Sequence, residues 1–143
     1  MLVHLPRPKP TKDDAHLFIV LYDRFPWEAW NWVYYEFSAS NFEEFNKKYP
    51  RGSAEFARII ELLMFYEAAG ALISQGVVNE DLFFDVAFGL DMFWEKMGGI
   101  LEEWQNTLRK AEWENAIWLC KRYQEWFKKV WKPKLTWKTL PSN

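Results

Sequence analysis

Two carboxylates, Glu67 and Asp85, are the side chains of this 143-residue chain best placed to do chemistry. At helical spacing, Glu67 lies between Leu63 and Gly70 on one apolar face. A carboxylate on such a face is costly unless it is ion-paired or hydrogen-bonded. Glu67 is therefore predicted to pair with Arg58, with a Trp indole N–H or with a helix-end amide, or else to face a ligand.

Asp85 lies between Phe84 and Val86 in a short predicted helix, so the same alternatives apply to it. If Asp85 and Glu67 converge, they would form a carboxylate pair suited to a bound metal or to general acid–base catalysis. Alternatively, the two carboxylates would be the polar anchors of a helical pocket for a small apolar ligand. The residues predicted to bind that ligand are Glu67, Asp85, Arg58, Tyr66 and Trp94.

The chain offers few metal ligands and few nucleophiles. It contains two histidines, His4 and His16, and one cysteine, Cys120, which do not supply a zinc ligand set. A di-metal bundle needs Glu-x-x-His on two helices, and the nearest match is Asp-x-x-His at residues 13–16. The glycine-rich phosphate loop ending in Gly-Lys-Ser/Thr is absent from the sequence. We therefore predict no catalytic residue, no metal and no cofactor, and expect Cys120 to be a small apolar core residue.

The elements that must position these residues are helices. Apolar residues recur every three or four positions along most of the chain, and no segment alternates at period two. The pattern predicts an all-α fold, an irregular bundle of about five main helices plus short connecting ones, centred on residues 54–75. The predicted helices span residues 12–23, 26–37, 42–48, 54–75, 80–88, 90–110 and 111–131.

Polar residues at the predicted helix ends support these boundaries. Thr11, Asn41, Ser53 and Asn79 are predicted N-caps, and Gly76 is the predicted C-terminal glycine of the central helix. The Gly-Gly pair at residues 98–99 predicts a kink or break in the sixth helix, because glycine weakens helix interiors.

The composition divides the chain into three parts. Residues 1–10 contain three prolines and predict an extended arm, residues 11–132 a single helical domain, and residues 133–143 an irregular basic tail. No segment reaches the ~20 apolar residues of a membrane-spanning helix, and the N-terminus lacks the pattern of a signal peptide. We expect a soluble, cytoplasmic protein, with peripheral membrane association as an alternative.

The chain has more aromatic residues than an ordinary core needs, with 10 Trp, 12 Phe and 6 Tyr. The excess predicts an aromatic core and, in addition, a contact surface for a protein partner or a second copy of the chain, because Trp and Tyr are enriched at interfaces. The residues predicted to form that surface are Trp32, Tyr35, Trp126, Trp131 and Trp137.

Charge is distributed unevenly. Residues 1–120 carry 11 basic and 19 acidic side chains, whereas residues 121–143 carry 7 basic and 1 acidic. The basic, aromatic tail could rest on an anionic membrane surface or bind a phosphate backbone. Alternatively its apolar residues pack inward and its lysines complement a helix C-terminus. The acidic body would repel nucleic acid, so nucleic-acid binding is not expected.

Several short motifs follow one another in a familiar order. Phe-Tyr-Glu-Ala-Ala-Gly at residues 65–70 precedes Gly-Val-Val-Asn-Glu-Asp-Leu at 76–82, and Phe-Trp-Glu-Lys follows at 93–96. With Arg58, Glu67, Gly70, Gly76 and Asp85, they make residues 13–130 resemble a family of uncharacterised bacterial all-helical proteins, a domain of unknown function. Members often carry an N-terminal membrane-spanning helix, and residues 1–143 are not expected to contain one. The resemblance implies a helical fold and no reaction.

Three functional hypotheses follow. The first is a non-enzymatic interaction or scaffold module, with a homodimer as one form of it. The second is the apolar-ligand pocket anchored by Glu67 and Asp85. The third is a hydrolytic enzyme.

Overall fold

Helices account for nearly all of the regular structure. The computed structural model describes residues 9–108 and 111–131, and within these ranges the chain forms seven α-helices and no strand. The helices are α1 (Lys12–Arg24), α2 (Trp27–Tyr35), α3 (Phe42–Lys48), α4 (Ala54–Ser74), α5 (Glu80–Val86), α6 (Leu90–Thr107) and α7 (Glu114–Trp126), followed by a π-helical turn at Phe127–Trp131. The predicted all-α class is confirmed.

The helix ends show how local sequence sets each boundary. The hydroxyl of Thr11 accepts a hydrogen bond from the amide of Asp14, and the Asp14 carboxylate accepts one from the Thr11 amide, which completes a capping box. The side chains of Asn41, Ser53 and Asn79 each accept a hydrogen bond from the amide three residues later, and so cap α3, α4 and α5. The four predicted N-caps are therefore confirmed.

The bounds of α5 and α7 differ from the predicted ones, because residues in the left-handed backbone conformation separate these helices from their neighbours. Helix α5 ends at Val86, two residues early, because Ala87 and Phe88 have φ of 68° and 47°. Helix α7 begins at Glu114 and not at residue 111, because Trp113 has φ of 60°. A non-glycine residue in the left-handed conformation costs energy, so tertiary contacts must stabilise it. Local sequence patterns do not reveal those contacts.

Helix α6 runs continuously through Gly98 and Gly99, so the predicted break there is wrong. The backbone of Gly98 lies under the indole of Trp94, where a β-carbon would come within 2.8 Å of the ring. This glycine therefore makes room for an aromatic side chain one turn earlier in the same helix.

The core is built around α4 and α7. Helix α4 contributes its buried face, and the small residues Ala69 and Gly70 within it allow α7 to approach closely. From α7 the core receives Ala116, Leu119 and Cys120. The other buried residues of α4 are Ile59, Leu62, Leu63, Tyr66 and Ile73.

Aromatic rings connect the remaining helices to this pair. Phe88, in the left-handed turn before α6, stacks on Phe83 at 4.5 Å between ring centroids and also contacts Phe25 and Phe65. The hydroxyl of Tyr66 donates a 2.6 Å hydrogen bond to the carbonyl of Phe88. This bond gives the left-handed turn the tertiary support that its backbone needs.

Helix α1 is attached differently, because it contains no buried residue. Its Asp14 carboxylate accepts a bond from the amide of Asn79, at the start of α5. Its rings Phe18 and Tyr22 contact Phe88 at 6.0 and 6.2 Å. Helix α1 therefore lies on the surface of the bundle, fixed along one side.

Within the described ranges, no helix is long and apolar enough to cross a membrane. Residues 1–8 of the predicted arm and the whole predicted tail, 133–143, lie outside the described residues. The proposed division of the chain into arm, domain and tail stays a prediction.

Candidate functional site

Glu67 binds the N-terminus of α7. Its Oε1 accepts bonds from the amide and side-chain nitrogens of Asn115 at 3.3 and 2.9 Å, and its Oε2 accepts one from the amide of Ala116 at 2.8 Å. The N-cap residue of α7, Trp113, makes no side-chain capping bond of its own. Glu67, on α4, therefore caps α7 in place of a residue adjacent to that helix in the sequence. Its negative charge is also favoured at the positive end of the α7 dipole.

Of the partners considered for Glu67, the structure supplies the helix-end amide. Both carboxylate oxygens are occupied by the bonds to Asn115 and Ala116. A ligand anchored on Glu67 would have to displace them and leave the first turn of α7 without its acceptor. The geometry thus assigns this carboxylate a structural role.

The other residues predicted to bind a ligand lie in different surroundings. Tyr66 is fully buried, and desolvation raises the pKa of its hydroxyl well above the ordinary value. Arg58 is exposed, with its guanidinium 5.9 Å from the ring centre of Trp32, and Asp85 is exposed on α5. Trp94 is half-buried beneath the ammonium of Lys121, at 5.7 Å. The structure therefore distributes these side chains between core and surface.

The described part of the chain shows neither a reactive thiol nor a metal-binding cluster. Burial raises the pKa of the Cys120 thiol to about 12, which leaves it protonated at neutral pH. Among residues 9–108 and 111–131, no group of three or more His, Cys, Asp or Glu side chains could hold a metal ion.

The residues predicted to form a contact surface divide between inside and outside. Tyr35 is 75% exposed, whereas Trp32 is half-buried and packs on Tyr49 at 5.3 Å. Trp126 is only 3% exposed, and its indole N–H donates a 2.6 Å bond to Asp81. Trp126 is therefore a core residue and not part of an outer surface, because its indole N–H finds a partly buried partner on α5. The side chain of Trp131 and the whole of Trp137 lie outside the described residues.

An aromatic surface that shares only Tyr35 with the predicted one occupies α1 and α2. We call it the aromatic row, and it consists of Tyr22, Trp27, Trp30, Tyr34 and Tyr35. Consecutive rings are in contact, with centroid distances of 5.9, 6.3, 5.3 and 4.8 Å. Tyr22, Trp27 and Tyr34 are each 44–48% exposed.

Trp27, Trp30 and Tyr34 lie on one face of α2, at helical spacing. Trp27 and Tyr34 are exposed and Trp30 is half-buried, and the sequence alone does not say which face of α2 meets the core.

The ammonium of Lys96 fixes the end of α2 beneath this row. It donates bonds to the carbonyls of Val33 and Tyr34, at 3.0 and 2.6 Å, and lies 5.9 Å from the ring centre of Tyr34. A cation at a helix C-terminus stabilises its unpaired carbonyls. Lys96 therefore holds the exposed Tyr34 in a defined position.

The start of the basic segment is paired with the acidic body. Arg122 makes two bonds to Glu80, at 2.9 and 2.8 Å, and the ammonium of Lys121 lies 3.2 Å from Glu102. Both cations border a shallow groove of about 360 Å³ between α4, α5 and α7. Because their charges are already neutralised by carboxylates of the chain, this groove is a poor site for an anion.

Comparison with known proteins gives one match. Residues 28–123 match the family described as Domain of unknown function (DUF4760). The match runs from α2 into α7, so it includes Glu67 and Gly70 and leaves α1 outside. Neither the curated proteins nor the solved structures gave a match. The chain therefore belongs to the DUF4760 family, a domain of unknown function.

Proposed function

We propose that this domain is a protein-interaction module whose contact surface is the aromatic row on α1 and α2. The observation that carries the proposal is the exposure of Tyr22, Trp27, Tyr34 and Tyr35 in one continuous row. Trp and Tyr are enriched among the few residues that dominate the binding energy at protein interfaces, because each buries a large area with few rotatable bonds.

The rigidity of the row supports the same function. Trp27 packs edge-on against the buried Phe25 at 4.5 Å, and Tyr34 is held by Lys96 and stacked on Trp30 at 5.3 Å. Side chains that are already ordered lose little entropy on binding. The rings of the row therefore already have defined positions in the unbound chain.

The charges beside the row favour a protein over an anionic membrane. Asp23, Glu28 and Glu36 are exposed on or next to the same two helices. Acidic side chains would be repelled by the negative surface of a lipid leaflet, whereas a polar rim around an aromatic centre is typical of protein interfaces.

Site-specific photo-crosslinking tests this function. A photoreactive phenylalanine derivative is placed at Tyr35 in one strain and at Met64 in another, in cells that make the protein. Met64 is the matched control, because it is a 57% exposed apolar residue on α4, outside the row. We expect a discrete adduct of defined mass from position 35 and none from position 64.

The adduct should also depend on the neighbouring rings. Replacing Trp27 and Tyr34 with serine should remove it, while the circular dichroism of the purified chain stays helical. Equal crosslinking from positions 35 and 64, or none from either, would contradict the proposed function.

A further inference from the structure

The outer face of α1 carries a pattern that is complementary to itself. The partly buried residues of this helix, Asp14, Leu17, Phe18 and Leu21, face the bundle. At 100° per residue, the opposite side carries Lys12, His16, Ile19 and Asp23, spaced by four, three and four. All four of these are exposed, and Val20 and Ala15 flank them.

Apolar residues make the middle of this face unusual for a surface helix. Ile19 is 63% exposed and Val20 is 39% exposed, because no described part of the bundle covers them. Tyr22, which belongs to both α1 and the aromatic row, lies about 90° from the centre of this face, so the row and the face are neighbouring surfaces.

Charge complementarity indicates what covers this face. If two copies of α1 lie antiparallel about a two-fold axis, Lys12 meets Asp23 of the second copy and His16 meets Ile19, while Ala15 and Val20 lie along the two edges of the contact. The two-fold axis repeats each of these pairs. The two Ile19 side chains, each beside a His16, thus lie between two ion pairs.

The helix dipole favours the same arrangement. Lys12 lies at the positive N-terminus of α1 and Asp23 in its last turn, so each is disfavoured by the dipole of its own helix. In the antiparallel pair, each lies beside the opposite end of the other helix, where the dipole favours it.

From this pattern we infer that the chain forms a homodimer through antiparallel pairing of α1, with Lys12 and Asp23 as reciprocal ion pairs. The inference rests on the proposed function, because it makes a second copy of the chain a partner of this interaction module, through a face of α1 beside the aromatic row. Helix α1 has 13 residues and is about 20 Å long. Contacts of this size fall at the low end of specific interfaces, so the dimer should dissociate at roughly micromolar concentrations.

Charge reversal provides the test, with the full chain studied by sedimentation equilibrium across a series of concentrations. K12E and D23K each replace two attractive pairs with two repulsive ones, so each should weaken the dimer about tenfold. The double variant K12E/D23K restores opposite charges in both pairs and should return to near the original affinity. An equimolar mixture of K12E and D23K should associate more strongly than either variant alone.

Two controls separate dimer loss from unfolding. Both single changes place a charge that suits the dipole of α1, so they should not weaken the helix itself. E61K changes the charge of an exposed residue on α4 and should leave the affinity unchanged.

Two results would overturn the inference: an original chain that is monomeric at all concentrations, or a dimer unaffected by K12E and D23K. Because the crosslinking at Tyr35 is read separately, an adduct with a different protein would then still support the interaction function.

Discussion

Glu67 stabilises a helix that begins far away in the sequence. Its bonds to Asn115 and Ala116 join residues 48 and 49 positions apart. The first amides of any helix lack intrahelical acceptors, and Trp113 does not provide one. The carboxylate on the apolar face of α4 is therefore compensated by three hydrogen bonds and by the dipole of α7.

Replacing Glu67 should destabilise the fold without removing a reaction. E67Q keeps the shape but presents an NH₂ group to one of the backbone amides, so we expect a loss of about 1–2 kcal/mol in the free energy of unfolding. E67A should cost at least as much. Urea unfolding followed by circular dichroism measures both.

The control for this change is E61Q, an exposed glutamate on the same helix. It should alter stability by less than about 0.5 kcal/mol. If E67Q were as stable as E61Q, the capping role would be wrong, and a ligand-binding role for Glu67 would regain support.

At the scale of elements, the contact between α4 and α7 holds the bundle together. Gly70 permits it, because a β-carbon at this position would overlap the carbonyl oxygen of Asn115 and lie 2.8 Å from its carbonyl carbon. The same residue, Asn115, binds Glu67. Close approach and capping are therefore two parts of one junction, and the motif at residues 65–70 encodes both.

Gly70 and Gly99 form a matched pair of helical glycines for testing this junction. G70A introduces a methyl group against backbone, which cannot move aside without shifting α7, so a loss of about 1–3 kcal/mol is expected. G99A meets nothing within 4 Å and should gain up to about 1 kcal/mol from helix propensity.

Thermal and urea unfolding of the two variants should therefore move in opposite directions. A stabilising G70A would show that α4 and α7 tolerate greater separation than the structure indicates.

At the scale of the molecule, an aromatic core accommodates most of the described rings, and the exposed ones lie on α1 and α2, except for Trp118 on α7. The indole of Trp126 and the hydroxyls of Tyr49 and Tyr66 find hydrogen-bond partners, which allows these polar-edged rings to be buried. The core also surrounds Cys120 completely. That thiol reports on unfolding of the molecule as a whole.

Stability should fall at alkaline pH because of Cys120. Burial raises the pKa of its thiol from 9.0 to about 12. Between these values the unfolded chain has released a proton that the folded chain retains, so the free energy of unfolding decreases by about 1.4 kcal/mol per pH unit. Below pH 9 this contribution is fully present.

The comparison is urea unfolding at pH 8 and pH 10 for the original chain and for C120A. The raised pKa values of Tyr66 and Tyr123 act in the same direction above pH 10, and they are common to both proteins. C120A should therefore show the smaller decrease, and equal decreases would mean that the thiol is accessible in the folded chain.

The helical class, the positions of most helices and their caps follow from the amino-acid sequence alone. Thr11, Ser53 and Asn79 act on amides within three residues, and helical periodicity is likewise a local property, so both can be recognised from neighbouring residues. The family resemblance was recognised from motifs of the same local kind.

Other features depend on how the helices pack. These are the partner that Glu67 binds, the left-handed backbone of Ala87 and Phe88, and the burial of Trp126 against the exposure of Tyr34 and Tyr35. Each of these features depends on residues far away in the sequence. The pattern of apolar positions does not help, because it is the same for a helix face that packs on the core and for one that contacts a partner. Burial and long-range hydrogen bonds require two segments of the chain to come together in the fold, whereas a sequence motif describes only one segment.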